Sequence, residues 1–142
     1  MRNYVIGFPE RDVACLLLRV ALGSMYIAHA LFKIFVLGWP VTIKLFTSTG
    51  MPELLAYPLV VIEILGGALL ILGLAVRCVS MLLMPMLIGA IVFVHGGNGW
   101  IYTSPGGGWE YLAFLLAVSV SLVCLGGGRY ALHQRVLGKW CG

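Results

Sequence analysis

The sequence predicts an all-α integral membrane protein, a four-helix bundle with both termini in the cytoplasm. Three observations predict it. Hydrophobic residues make up 61% of the 142 positions and charged residues only 10%, against about 25% charged in an ordinary soluble domain. Mean hydropathy is +1.05, and a soluble fold of this length buries too little of its surface to hide so much apolar side chain. The apolar residues also fall into four runs, near 14–37, 54–76, 78–95 and 109–126, each near the ~17–25 residues that cross a bilayer. One domain, 1–142, accommodates all four and leaves no room for a second.

The punctuation between the runs supports each element in turn. Met1 to Asp12 carries charges and turn formers but no apolar core, so the first run reads as a signal-anchor helix rather than a cleavable signal. Gly38-Trp39-Pro40 ends that run. The stretch Trp39 to Ser48 mixes apolar and polar residues, and two readings stay open: a short interfacial helix or an irregular loop. Pro52 suits the first turn of the second helix, where its missing N–H would have no partner anyway. Arg77 marks a tight connection to the third, in which Pro85 is expected to kink the helix and free a carbonyl. Gly96-Gly97-Asn98-Gly99 and Ser104-Pro105-Gly106-Gly107-Gly108 form a third loop, and Gly126-Gly127-Gly128 closes the fourth helix.

Charge placement sets the orientation. Arg2, Arg11, Arg77, Arg129, Arg135 and Lys139 fall on one side of the membrane and Lys44 alone on the other. The positive-inside rule puts the first side in the cytoplasm, and with it both termini. Trp39, Trp100 and Trp109 then sit at the outer boundary and Trp140 at the inner one, as an aromatic belt requires. The net charge of +4 comes from residues at the ends of apolar runs, not from a basic polar face. Nucleic acid is therefore excluded as a partner. The expected surroundings are the lipid bilayer and either a protein partner or further copies of the same chain.

Ionisable groups inside spans cost about 2.5–3.5 kcal/mol each, and this chain carries several. Arg19, Tyr26, His29 and Lys33 fall within an arc of about 80° on the first helix, counting about 100° per residue. Gly23 and Ala30 share that side, so the polar stripe coincides with small residues that permit close packing. On the second helix, Glu63 shares a face with Gly66, Gly67 and Leu70. His29 and Glu63 should lie at one depth, roughly 12–14 Å from the outer end, with Lys33 a turn nearer the surface. His95 ends the third helix and Glu110 begins the fourth. The expected ligand-binding cluster is Tyr26, His29, Lys33, Glu63, His95 and Glu110, with Asn98 near it, forming a polar pocket in the outer half of the bundle. Arg19 and Arg77 are expected to be structural charges. No catalytic residue is assigned.

No metal site is expected, because no close spacing such as H-x-x-x-H accompanies these residues. Cys15, Cys78, Cys124 and Cys141 are far apart and lie near the cytoplasmic face, where thiols stay reduced. They read as small packing residues. The run Met81, Met84 and Met86 reads the same way.

These features, taken in order, resemble the DoxX family of small bacterial and archaeal membrane proteins. Leu18-Arg19, Leu22-Gly23, His29 and Lys33 are similar to the family's opening pattern, with Ala30 where a glycine is usual. Phe46 through Gly50-Met51-Pro52 resembles its loop segment, and Glu63, Gly66-Gly67, Leu72-Gly73 and Arg77 its second-helix signature. Glu110-Tyr111 and Gly127-Gly128-Arg129-Tyr130-Ala131-Leu132 resemble its ending. The resemblance implies a multi-pass protein of the bacterial or archaeal cytoplasmic membrane. Some relatives are subunits of thiosulfate:quinone oxidoreductase, so it also implies a quinone pocket near His29, Lys33 and Glu63. No haem-attachment motif, flavin fingerprint or iron–sulfur spacing is present. The expectation is a quinone-interacting subunit of an oxidoreductase system, with no intrinsic cofactor and a bound quinone. Two other readings stay open: a non-catalytic anchor or assembly subunit, and a small-solute carrier, which would be small for its class.

Overall fold

In the computed structural model, described over residues 9–132, five α-helices account for most of the chain. They are α1 (Pro9–Leu31), α2 (Gly38–Ser48), α3 (Ala56–Leu72), α4 (Val76–Gly89) and α5 (Glu110–Leu125). Six-residue π-helical stretches extend α1 through Phe32–Leu37 and α4 through Ala90–His95. The helical segments containing α1, α3 and α4 are each long and apolar enough to cross a membrane, and α5 is a shorter apolar helix of 16 residues. No strand occurs among the described residues. The result is a helical membrane bundle.

α1 packs most extensively on α3, and α4 on α5. Lighter contacts, α3 on α4 and α1 on α5, close the four into a ring. The termini of the helices define two ends. One carries the first and last described residues, Pro9 and Leu132, and the α3–α4 turn; the other carries the loops 49–55 and 96–109.

At the terminal end the packing is close. A Cβ added to Gly23 would lie 2.5 Å from the Gly67 carbonyl oxygen, and one added to Gly67 would lie 2.6 Å from that of Gly23. Only glycine at both positions lets the two backbones approach this far. Helix α3 stops at Leu72, four residues short of the expected 54–76 run. Gly73 takes a left-handed conformation (φ 74°), and the Leu74 N–H bonds the Leu69 carbonyl at 2.9 Å, a Schellman stop. The carbonyls freed at that stop have a partner from α1. Arg19, only 2% exposed, donates from one nitrogen to Ile71 O at 2.6 Å and Leu70 O at 3.4 Å. Its other terminal nitrogen donates to Tyr130 O at 2.7 Å. A cation beside the last carbonyls of a helix is also where the helix dipole favours it.

At the loop end the chain is irregular. A straight helix would separate Lys33 from Thr42 by about 13 Å, yet the Thr42 hydroxyl donates to Lys33 O at 2.9 Å. The helix therefore turns back on itself at Gly38, which adopts φ 74° and ψ 162°. Of the two readings of residues 39–48, the structure takes the helical one, α2. The third and fourth spans match their expected runs closely, at Val76–His95 and Glu110–Leu125. α4 continues through Pro85, and its π-helical stretch begins five residues later. Trp100 and Trp109 meet edge to face at 4.5 Å, and Trp39 contacts Tyr57 at 4.6 Å, all at this end. Trp140, Arg2, Arg135, Lys139 and Cys141 lie outside the described residues.

Cys15 and Cys124 are free thiols. Cys78 is disulfide-bonded, which corrects the expectation of reduced thiols. No two cysteines lie close in the sequence, so spacing could not have indicated a bridge.

Candidate functional site

Between the helices at the loop end lies a cavity of about 1030 Å³. Tyr26, His29, Lys33, Glu63, His95 and Glu110 all line it. They come from four helical segments, so the bundle brings together what the sequence scatters over 85 positions from Tyr26 to Glu110. Most of the remaining wall is apolar, including Met25, Met86, Phe93 and Leu115. A chamber of this size with a few polar groups in an apolar wall has the character of a small-molecule site.

Lys33 Nζ and Glu63 Oε1 form an ion pair at 2.5 Å, joining the π-helical end of α1 to the middle of α3. The depth argument places Lys33 one turn, about 5.4 Å, nearer the loop end than Glu63, and the flexible lysine stem spans that turn. The Lys33 ammonium also stands 5.7 Å from the centre of the Phe46 ring on α2. Glu63 itself is 6% exposed. Its second oxygen, Oε2, is buried and has no hydrogen-bond partner among the described residues.

His29 stacks on Tyr111, with ring centres 5.9 Å apart. The Tyr111 hydroxyl, like Glu63 Oε2, is buried without a partner among the described residues. A polar atom left this way costs about 1–3 kcal/mol, so the cavity wall holds two costly groups at once. Tyr26 is different: its hydroxyl donates to Leu83 O at 3.3 Å and ties α1 to α4.

His95 and Glu110 hold the loop that roofs the cavity. His95 Nδ1 lies 2.9 Å from Gly107 O. A carbonyl can only accept, so Nδ1 carries the proton and, in the neutral ring, Nε2 is left as an acceptor. Asn98 Nδ2 donates to Gly106 O and Gly107 O, each at 3.0 Å. Glu110 Oε1 accepts from the Tyr102 N–H at 3.0 Å. The backbone of the same loop closes on itself through Trp109 N–H to Gly99 O at 3.2 Å and Glu110 N–H to Trp100 O at 3.0 Å. Gly108 has no room for a side chain between the Trp100 and Ile101 carbonyls.

The two arginines lie away from the cavity. Arg19 is at the terminal end on the α3 carbonyls, as described above. Arg77 is in the first turn of α4, with its Nε buried and unpartnered among the described residues. No group of three metal-ligating side chains occurs among the described residues. Sequence reasoning missed Tyr111 as a wall residue, although it adjoins Glu110. It also missed the ridge Pro85, Gly89 and Phe93 on α4, because apolar and glycine positions carry no polar exception to notice.

The family model for DoxX matches residues 14–96 of this chain. The chain is also 36% identical over 125 residues to a Bacillus subtilis (strain 168) protein named "Putative oxidoreductase CatD", the match covering 88% of each. This chain belongs to the DoxX family. No solved structure matches it. The family match spans α1 through the π-helical end of α4 and so includes His29, Lys33, Glu63 and His95. The longer match to the relative reaches past it, and its extent shows that the resemblance is not confined to the first three spans.

Proposed function

We propose that this DoxX protein is a quinone-interacting subunit of an oxidoreductase system in a bacterial or archaeal cytoplasmic membrane. The observation that carries the reading is the convergence of His29, Glu63, Tyr111 and the Lys33 ammonium on one large, mainly apolar cavity. A quinone ring suits such a wall. Its carbonyl oxygens need donors, which the His29 ring, Lys33 and the Tyr111 hydroxyl can supply. A quinol gives up protons on oxidation, and a carboxylate or imidazole at that point accepts them. The relative's name, an oxidoreductase, points the same way. The chain has no sequence motif for haem, flavin or an iron–sulfur cluster, so a partner protein supplies the redox group in this reading.

The test is to purify the protein in mild detergent and quantify extracted quinone by mass spectrometry. Near-stoichiometric quinone is expected in the native protein, with strong loss in His29→Ala at unchanged thermal stability and strong loss per folded molecule in Glu63→Gln. Quinone-free native protein that also fails to bind added quinone overturns the reading.

The Lys33–Glu63 pair favours a second reading, in which the polar groups only lock α1 to α3 and the protein is an anchor or assembly subunit. There, loss of partner activity in Glu63 variants tracks loss of folded protein. In the quinone reading, activity falls while the protein stays folded. The carrier reading has no observation of its own here and requires solute uptake into proteoliposomes.

A further inference from the structure

We infer that the cavity is entered sideways from the bilayer, through a slit along α4, and that its ligand is a ring-headed lipid whose tail stays in the hydrocarbon. The ring-head chemistry rests on the quinone reading above; the entrance rests on geometry alone.

The cavity touches α4 and its π-helical extension along two adjacent ridges. Pro85, Gly89 and Phe93 form one, and Met86, Ala90 and Val94 the other. Residues four apart lie one above another on a helix, so each ridge is a line running along the bundle. The second ridge is half-buried, and beyond it Leu83 and Leu87 are buried in the core. The first is the outer edge: Pro85 is exposed and Phe93 is 64% exposed. From α5, Phe114 also lines the cavity and is 66% exposed. Side chains that both line a cavity and lie open to the surroundings mark its rim. This rim runs about 12 Å from Pro85 to Phe93, along a helix long and apolar enough to cross the membrane.

Gly89 makes a notch in that rim. A Cβ built there meets only the Phe93 ring, at 4.0 Å. The contrast with Gly23 and Gly67 is direct: those glycines exist because backbones collide, whereas Gly89 faces open space. A glycine inside a helix costs about 1 kcal/mol relative to alanine, and no packing contact at Gly89 offsets it. A passage does explain it. Tyr102 of the 96–109 loop also lines the cavity and is 67% exposed, but that loop is fastened by hydrogen bonds through His95, Asn98, Glu110 and its own backbone, whereas the α4 rim is apolar.

The entrance is tested with a decyl-tailed aryl diazirine dissolved in the bilayer around the protein in nanodiscs, and with a sulfonated aryl diazirine confined to water. Labelled residues are mapped by mass spectrometry after illumination. The bilayer probe is expected to label Met25 and Leu115 on the inner wall, and the water-confined probe only the loop. Two variants add tryptophan where there is room for it. Gly89→Trp plugs the slit; Gly97→Trp adds the same bulk to the roof turn, where a Cβ meets nothing within 4 Å. Inner-wall labelling should fall by about tenfold or more in Gly89→Trp, the scale of a ligand displaced from an overfilled site, and stay unchanged in Gly97→Trp. Strong labelling of Met25 by the water-confined probe, or loss in Gly97→Trp but not in Gly89→Trp, overturns the side entrance. The same samples assayed for quinone separate the two ideas. Inner-wall labelling from the bilayer without quinone binding overturns the quinone reading and leaves the entrance standing.

Discussion

The two ends of this bundle are made from the same four spans and are built oppositely. At the terminal end, α1 and α3 touch backbone to backbone through Gly23 and Gly67, and a single arginine satisfies the carbonyls where α3 stops. At the loop end, both long helices relax into π-helical turns, and a cavity of about 1030 Å³ opens between them. The polar residues divide the same way. Both terminal nitrogens of Arg19 donate to backbone carbonyls, with only Nε left unpartnered among the described residues, whereas Glu63 Oε2 and the Tyr111 hydroxyl are left unpaired on residues that line the cavity. In lipid, association of helices relies on packing and hydrogen bonds rather than on the hydrophobic effect. A bundle that leaves one half loosely packed must therefore secure itself in the other. The difference teaches which residues hold the protein together and which it keeps for something else.

The largest effect is expected from breaking the tight half. Gly67→Leu would force a branched side chain against the Gly23 carbonyl, where even a Cβ lies at 2.6 Å. Backbone cannot yield as a side chain would, so the loss should exceed the ~1–3 kcal/mol typical of overpacking. Little folded protein should accumulate in membranes, measured as the monodisperse fraction by size-exclusion chromatography. Gly89→Trp, in the loose half, should accumulate normally. Equal losses in both would remove the distinction between the halves.

Arg19→Met should come next, at about 3 kcal/mol, because it leaves carbonyls of α3 and the Tyr130 carbonyl without their donor. Denaturation in mixed micelles, followed by circular dichroism, measures it. Bound quinone per folded molecule should not change, since Arg19 does not line the cavity.

How far the sequence revealed this division depends on the residue. The polar stripe of α1 and the glycine face of α3 were legible because each is a costly exception within an apolar run, and helical periodicity then assigns them to one side. His29, Lys33 and Glu63 could be placed at similar depth by counting residues along helices. What periodicity cannot show is a change of helix type. The π-helical turns at Phe32–Leu37 and Ala90–His95 shift every later side chain around the axis, and nothing in their composition announces them. The return of α2 onto Lys33 depends on one dihedral pair at Gly38. In the sequence Pro85 signals only a kink, and Gly89 and Phe93 look like ordinary membrane-helix residues; the cavity beside them gives the three a common place.

A third prediction concerns the loose half. Lys33→Met leaves the Glu63 carboxylate without its counter-ion. The cost should be about 2 kcal/mol, below the ~3–5 kcal/mol of a fully enclosed pair, because Glu63 borders a cavity that can admit water. The double variant Lys33→Met with Glu63→Leu should recover most of that stability, since apolar residues often replace a buried pair without loss. Quinone retention should be absent in the single and double variants alike. A double variant that is stable and still retains quinone would show the pair to be structural only.

The smallest effect should have the opposite sign. Tyr111→Phe removes one oxygen and leaves the ring that stacks on His29 in place. Because that hydroxyl is buried without a partner among the described residues, deleting it discards an unsatisfied group and should stabilise the ligand-free protein by up to about 1 kcal/mol. Removing Arg19 in the tight half has the opposite sign, because both of its terminal nitrogens are bonded. If the hydroxyl exists to meet a ligand, quinone affinity should fall as stability rises, by about fivefold for one neutral hydrogen bond. Micelle denaturation of ligand-free protein and quinone titration of the same preparation read the two signs side by side. A Tyr111→Phe protein that is less stable, with quinone affinity unchanged, would mean that the hydroxyl serves the bundle and not the cavity.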